Sequence, residues 1–197
     1  MSFPKRLQKQ LDFIMRIDDL KQIIRQTLLI SDRRQENDAE HSWHLATMAI
    51  LLQEYSNVEV DLLRVVQMVL IHDIIEIEAG DTFCYDKEGQ IDKKAREIEA
   101  ANKIFTKLPS DQAIHFRKLW DEFETTLTPE AKFAAALDRL QPLLQNFRTD
   151  GESWLKHGIT RKQVIERNHH ISEGSKLLWE YATWLIDESV NRGYLKD

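Results

Sequence analysis

The chain has 197 residues, and 27 Lys and Arg against 33 Asp and Glu give it a formal net charge of −6. This length suits one domain over residues 1–197, and the acidic balance argues against duplex nucleic acid as a partner. No apolar run reaches the roughly 20 residues of a membrane span, and the one cysteine, Cys84, is typical of a reducing compartment, so we expect a cytoplasmic protein.

The first half of the chain reads as helical. Apolar residues over 7–24 recur at helical spacings, with a break at Asp18–Asp19. Asn37 and Glu40 stand three apart, as in a capping box, and predict a second helix over about 37–55. A third helix over 59–77 is apolar between Val65 and Ile75, which is typical of a buried central helix.

The second half continues the helical pattern. Gly80 ends the third helix, and residues 81–90 have no period and are predicted to form a loop. Thr128, followed by a proline and a glutamate, begins a helix that reaches about Phe147. Thr160 and Gln163 form another capping box. The remaining segments are helices at 92–108, 111–123 and 175–192 and a loop at 150–159.

No segment alternates with the period of a strand, and glycine and proline are few, with 6 and 4 residues. The sequence therefore predicts an all-α, single-domain helical bundle of about eight helices.

Four polar residues stand in or beside apolar helical segments: His41, the pair His72-Asp73, and Asp138. An unpaired buried carboxylate costs several kcal/mol, so both aspartates need partners. One divalent cation would satisfy all four groups, and the mixture of imidazole and carboxylate suits Mn, Co, Fe, Ni or Zn, with Mg also compatible. Two other interpretations stay open: each histidine is a hydrogen-bonded core residue, and Asp138 pairs with Arg139 or a lysine.

These residues resemble, in order and context, the HD superfamily of metal-dependent phosphohydrolases, and within it the bacterial 5′-deoxynucleotidase-like branch. The similarity spans roughly residues 10 to 195. The matching motifs are Leu20–Arg25, Glu36–Ser42, His72–Asp81 and the segment from Glu130 to Asp138.

The resemblance implies roles for these residues. His41, His72, Asp73 and Asp138 would hold one divalent metal ion. Glu76 would be the catalytic proton-transfer residue, Asp81 would share that role or contact the sugar, and Arg25 would bind the phosphate, with Arg33 and Arg34 as second choices. The implied substrate is a small phosphorylated compound, a (deoxy)nucleoside 5′-monophosphate, and the implied assembly is a homodimer.

One residue departs from the pattern of that branch. Gln26 stands where the resemblance implies a tryptophan that discriminates against ribose. A non-nucleotide phosphomonoester is therefore an alternative substrate.

Two metal sites of other kinds and one non-enzymatic function compete with this interpretation. Glu166 and His169 have the Glu-x-x-His spacing of di-iron bundles, but no second such motif occurs. His44 is a candidate for the extra ligand of an HD oxygenase, or it packs beside Trp43 or helps to fix the first ligand, His41. A non-catalytic helical dimeric scaffold would use tryptophans such as Trp179 and Trp184 at an interface.

Overall fold

A computed structural model describes residues 3–86 and 88–197, and outside one two-stranded sheet the regular elements of these residues are helices. The predicted all-α fold is confirmed, and eight helices of the described residues have eight or more residues. In chain order the elements are α1 (Lys5–Arg16), β1 (Ile24–Leu28), β2 (Gln35–Asn37), α2 (Asp38–Leu52), α3 (Leu62–Ile71), α4 (Glu76–Ala79), α5 (Lys93–Phe105), α6 (Ser110–Thr125), α7 (Pro129–Arg148), α8 (Glu152–His157), α9 (Arg161–Asn168), α10 (Ile171–Gly174) and α11 (Lys176–Asn191).

The predicted helix starts are confirmed by their side-chain caps. Asn37 Oδ1 accepts from the Glu40 N–H at 3.0 Å, and the Glu40 carboxylate accepts from the Asn37 N–H at 3.2 Å. Thr128 caps α7, and Thr160 with Gln163 forms the capping box of α9. Each cap satisfies N–H groups that the first helical turn leaves without partners.

Two loop and helix predictions are wrong in detail. The segment 7–24 is helical only to Gln22, and Ile24 instead pairs with Asn37 in an antiparallel hairpin. Strands of five and three residues are too short to show an alternating pattern, and this hairpin is supported by packing on α7 and α8. The predicted loop at 150–159 contains α8, which begins after Gly151 in the left-handed conformation.

The predicted third helix is interrupted at the His-Asp pair. α3 ends at Ile71, a tight 3-10 turn covers His72–Ile75, and α4 follows. Gly80 ends α4 with φ +76°, as predicted. Although its apolar sequence predicts a buried helix, α3 is not buried on all sides, because Leu63 and Leu70 are exposed.

The central helix is α7 rather than α3. It packs against α2, α3, α6, α10 and α11, and its alanine-rich side, which includes Ala131 and Ala134, is fully buried. Small side chains let the neighbouring helices approach closely. None of the described helices is both long and apolar enough to cross a membrane.

Candidate active site

Three elements bring the predicted metal-binding residues together. His41 lies in the first turn of α2, His72 and Asp73 lie in the 3-10 turn after α3, and Asp138 lies in the middle of α7. All four are buried. We call these four residues the His/Asp cluster.

The distances within the cluster are short. His41 Nε2 is 3.0 Å from Asp138 Oδ1, and His72 Nε2 is 3.1 Å from Asp73 Oδ1. Ligand atoms of His41, His72 and Asp73 all lie within 4.8 Å of one another, which is close enough to hold one metal ion. Asp138 stands outside that group of mutually close atoms, although its Oδ1 is also 3.7 Å from His72 Nε2.

A chain of amides determines the orientation of His41. Glu36, which is 1% exposed, accepts hydrogen bonds from Gln141 Nε2 at 2.6 Å and Gln145 Nε2 at 2.9 Å. This directs Gln141 Oε1 towards His41 Nδ1, at 3.1 Å. Because an amide oxygen only accepts, the ring proton lies on Nδ1, and Nε2 turns its lone pair towards Asp138.

The ring of His72 is fixed in the same way by its own turn. Its Nδ1–H donates to the Val69 carbonyl oxygen at 2.9 Å, which turns Nε2 towards Asp73 and Asp138. That atom is buried and has no hydrogen-bond partner among the described residues. A ring nitrogen that faces a carboxylate oxygen needs a proton or a metal ion between them, and the mixed imidazole and carboxylate donor set fits a divalent metal ion.

The electrostatics agree with an attraction for positive charge. Burial by itself lowers the pKa of His72, but the carboxylates of Asp73 and Asp138 outweigh it and raise this pKa to about 10. Burial opposes the ionisation of Asp138, yet Arg139 and the two histidines hold the pKa of this group well below its usual range. The carboxylates therefore stay ionised at neutral pH, as metal ligands must.

Arg25 lies on β1 and reaches the cluster from the hairpin. Its Nη1 donates to Asp38 Oδ1 at 3.1 Å and to Asp73 Oδ2 at 3.0 Å, and its Nε is 3.6 Å from Glu36 Oε2. The cation that neutralises Asp73 is thus supplied by a strand distant in sequence. Nη2 makes no hydrogen bond to any of the residues the structure describes.

Carboxyl groups form a second cluster next to the first. Burial, followed by the charges of Asp73, Asp38 and Asp81, raises the pKa of Glu76 well above its ordinary value. Burial and Asp73 raise the pKa of Asp38 to about 7. Asp38 Oδ2 and Glu76 Oε2 are both buried and have no hydrogen-bond partner among the described residues, and a buried carboxyl group without a partner favours its protonated form.

One cavity of about 650 Å³ opens onto both clusters. It is lined by Arg25, His72, Asp73, Glu76, Asp81 and Asp138, among other residues. Gln26 also lines it and lies 3.3 Å from His157 Nε2. A cavity of this size accommodates a small organic ligand such as a nucleotide.

The remaining candidates lie elsewhere. Arg33 pairs with Asp150 and Arg34 with Glu40, and neither lines the cavity. His44 Nδ1 contacts Gln141 at 3.3 Å, so it supports the network behind His41. Among the described residues Glu166 and His169 are exposed, which does not suit a buried di-iron site.

Sequence reasoning missed several polar residues of the site: Glu36, Asp38, Arg139, Gln141 and Arg167. Gln141 follows Asp138 by one helical turn, and that spacing is the signal from which it could have been found. Arg139 was considered only as an alternative partner of Asp138, and its Nη1 is indeed 3.3 Å from Asp138 Oδ2.

Comparison with known proteins agrees with this geometry. The family model described as HD domain matches residues 17–179. The chain belongs to the HD domain family. This confirms the resemblance to the HD superfamily.

Curated members of the HD domain family carry a specific name. The human protein named 5′-deoxynucleotidase HDDC2 is 32% identical over 136 residues, which cover 68% of this chain and 65% of the human protein. The zebrafish (Danio rerio) protein of the same name is 29% identical over 190 residues, 86% of this chain and 94% of that protein. The match thus spans slightly less than two thirds of the human relative's own length.

Two solved structures share the fold of this chain. A predicted metal-dependent phosphohydrolase from Magnetospirillum magnetotacticum is 52% identical, with a TM-score of 0.94 over the full length of both chains. The PH0347 protein from Pyrococcus horikoshii has a TM-score of 0.65 at 20% identity, covers 92% of this chain and 99% of its own, and supports the fold alone. The family and the His/Asp cluster together indicate a divalent metal.

Proposed function

We propose that this protein is a divalent-metal-dependent phosphohydrolase that removes phosphate from a (deoxy)nucleoside 5′-monophosphate. The observation that carries the proposal is that the Nε2 atoms of two buried histidines lie 3.0 and 3.1 Å from carboxylate oxygens, at the wall of a cavity. The names of the curated relatives support the reaction and the substrate class.

His41, His72, Asp73 and Asp138 would hold the cation, whose identity is one of Mn, Co, Fe, Ni, Zn or Mg. A bound divalent cation supplies Lewis acidity to a phosphoryl group and lowers the pKa of water. The amide network behind His41 and the Val69 carbonyl keep both histidines in the tautomer that this task requires.

Glu76 is the catalytic acid in this proposal. Burial and the neighbouring carboxylates raise its pKa, which keeps a proton available near neutral pH. An alkoxide is a poor leaving group. Protonation of the 5′-oxygen by Glu76 as the P–O bond breaks lets it depart as a hydroxyl group. Asp81, a second carboxyl group on the cavity wall, would accept a hydrogen bond from the sugar or share in the proton transfer.

Arg25 would bind the phosphate. Its Nη1 is held by Asp38 and Asp73, which fixes the plane of the guanidinium group. Nη2 then remains as a donor for a phosphate oxygen.

The structure bears on the alternative substrates only through Gln26. An amide at this wall of the cavity offers both a donor and an acceptor to a sugar hydroxyl, so a ribonucleotide or a non-nucleotide phosphomonoester stays a candidate. A non-catalytic scaffold is the less favoured function, because it gives no reason for buried carboxyl groups to line a cavity.

We also propose a cytoplasmic homodimer with one domain over residues 1–197. The single free cysteine supports a reducing compartment. A core that extends from Phe13 to Leu195 supports one domain. An exposed apolar row on α11, formed by Leu177, Tyr181 and Trp184, supports a contact between two copies.

A phosphate-release assay with nucleoside monophosphates and sugar phosphates, repeated with several metals, tests the proposed reaction. Asp138→Ala should lose bound metal and lower kcat/KM more than about a hundredfold, because a buried anionic ligand is removed. Asp187→Ala, which removes a surface partner of Arg161, is the matched control and should keep both. Activity with full metal content in Asp138→Ala would reject the assignment.

Glu76→Gln separates the proton transfer from metal binding. The amide keeps the shape of the side chain and should leave the metal content unchanged, while kcat falls by about 10² to 10⁴. The loss should be smaller for a substrate with a good leaving group, such as a nitrophenyl phosphate, which needs no protonation. An equal loss for both substrates would remove Glu76 from this role.

A further inference from the structure

Two arginines that have no role so far line the same cavity: Arg139 on α7 and Arg167 on α9. We call them the arginine pair. Arg139 Nη1 is 3.3 Å from Asp138 Oδ2, and the other oxygen of that carboxylate faces His41. The guanidinium group of Arg139 therefore adjoins the His/Asp cluster.

Arg167 forms no ion pair with a carboxylate among the described residues, and its Nε is buried there without a hydrogen-bond partner. Burial lowers the pKa of Arg167, and the nearby charge of Arg139 lowers it further. A partly buried cation without a partner is costly, and an anion in the cavity would offset this cost.

The other cavity-lining arginines of the described residues are neutralised. Arg25 has three carboxylates within 3.6 Å. Arg117 Nε is 2.8 Å from Asp121 Oδ1. The carboxylate of Asp138, which raises the pKa of Arg167, already belongs to the His/Asp cluster.

We propose that the arginine pair is an anion-binding site for the phosphoryl oxygens of the substrate, which makes Arg167 a substrate-binding residue. The planar guanidinium group offers parallel donors that match two oxygens of a phosphate, and a phosphomonoester brings nearly two negative charges at neutral pH. This inference rests on the proposed phosphohydrolase function and adds to it the residues that hold the phosphate beside the cluster.

The arrangement also orients the substrate. The arginine pair attracts a phosphate, whereas the carboxylate of Asp81 accepts hydrogen bonds from hydroxyl groups. A phosphorylated sugar therefore lies with its phosphate towards Arg25, Arg139 and Arg167, its bridging 5′-oxygen towards the acid Glu76, and its hydroxyl groups towards Asp81.

Calorimetric titration of the metal-loaded protein with inorganic phosphate tests this site without relying on turnover. Arg167→Gln should weaken phosphate binding at least tenfold. Arg167→Lys should retain part of the affinity, because lysine keeps the positive charge but lacks the two parallel donors of the guanidinium group. Arg117→Gln, at an arginine of the same cavity that has its own counterion, is the matched control and should bind phosphate normally. Metal content is measured in each variant and should not change.

Kinetics then separate the two proposals. For a hydrolysed phosphomonoester, Arg167→Gln should raise KM by a similar factor and change kcat less. Hydrolysis with unchanged phosphate affinity and KM in Arg167→Gln would reject the arginine pair and leave the hydrolase in place. Phosphate binding that depends on Arg167, with no hydrolysis of any phosphomonoester, would reject the hydrolase and keep an anion site.

Discussion

A histidine can bind a metal only through a ring nitrogen that carries no proton, and the hydrogen bond at the other nitrogen determines which one that is. In His41 this bond is made to Gln141, whose own orientation is set by the buried carboxylate of Glu36. In His72 a backbone carbonyl one turn earlier has the same effect. The residues behind these histidines thus determine which ring nitrogen is available to a metal ion.

His170 leads to a prediction about pH. Burial lowers its pKa, and the charges of Arg139 and Arg167 bring it to about 4. A histidine in the unfolded chain has a pKa near 6.5. Between pH 6.5 and pH 4 the unfolded chain therefore binds a proton that the folded protein does not, so the free energy of unfolding falls as the pH is lowered through this range. The full shift would be worth about 3 kcal/mol, and solvent screening of this half-exposed ring reduces it to about 1 to 2 kcal/mol.

Urea unfolding at pH 7.5 and pH 4.5 measures this contribution. The unchanged protein should lose about 1 to 2 kcal/mol more on acidification than His170→Gln, whose side chain does not titrate. Equal losses in the two proteins would contradict the effect of the arginine pair on His170.

Individual residues also show how far the sequence predicts the site. His41, His72, Asp73 and Asp138 were found because polar groups stand out in apolar segments, and the structure brings them together. Arg167 was missed because an arginine in a polar helix has the pattern of a solvated residue. Its partial burial comes from the packing of α9, which no local pattern reveals.

Secondary-structure elements were likewise predicted where their cause is local in the sequence and missed where it is a distant contact. The starts of α2, α7 and α9 were predicted because each cap uses residues three positions apart. The hairpin of β1 and β2 was not, because its stability comes from packing on α7 and α8. The 3-10 turn that interrupts the predicted third helix contains no proline or glycine, so the sequence does not predict the interruption.

Close packing of α10 on α7 gives a prediction about stability. A Cβ atom at Gly174 would lie 2.4 Å from the Lys132 carbonyl oxygen and 2.8 Å from Ala136 Cβ. The two helices would have to separate, so Gly174→Ala should reduce the free energy of unfolding by about 2 to 3 kcal/mol. For a chain of this size, that lowers Tm by roughly 5 to 10 °C, which calorimetry can measure.

Gly193→Ala is the control for this substitution. Nothing lies within 4 Å of a Cβ atom there, so the variant meets only the strain of φ +74°. That strain costs about 1 to 2 kcal/mol, less than the crowding at Gly174. A larger loss at Gly193 than at Gly174 would contradict the packing explanation.

At the scale of the whole molecule, an exposed row of apolar residues on α11 is a candidate contact surface. Leu177, Tyr181 and Trp184 follow one another at spacings of four and three on α11, so they share one side of that helix. Their exposed fractions are 54%, 46% and 53%. An aromatic row of this kind is typical of the centre of an interface, where single residues contribute 2 kcal/mol or more.

We expect Leu177→Glu combined with Tyr181→Glu to dissociate the proposed homodimer, because each substitution buries a charge without a partner at the contact. The dissociation constant should rise more than about a hundredfold, as sedimentation velocity can measure. Ile114→Glu, at an equally exposed apolar residue on α6, should leave the dimer intact. A double variant that remains dimeric would place the contact elsewhere, and a monomeric unchanged protein would refute the dimer. Neither variant touches the cavity, so phosphate release by the monomer would show that one chain contains a complete site.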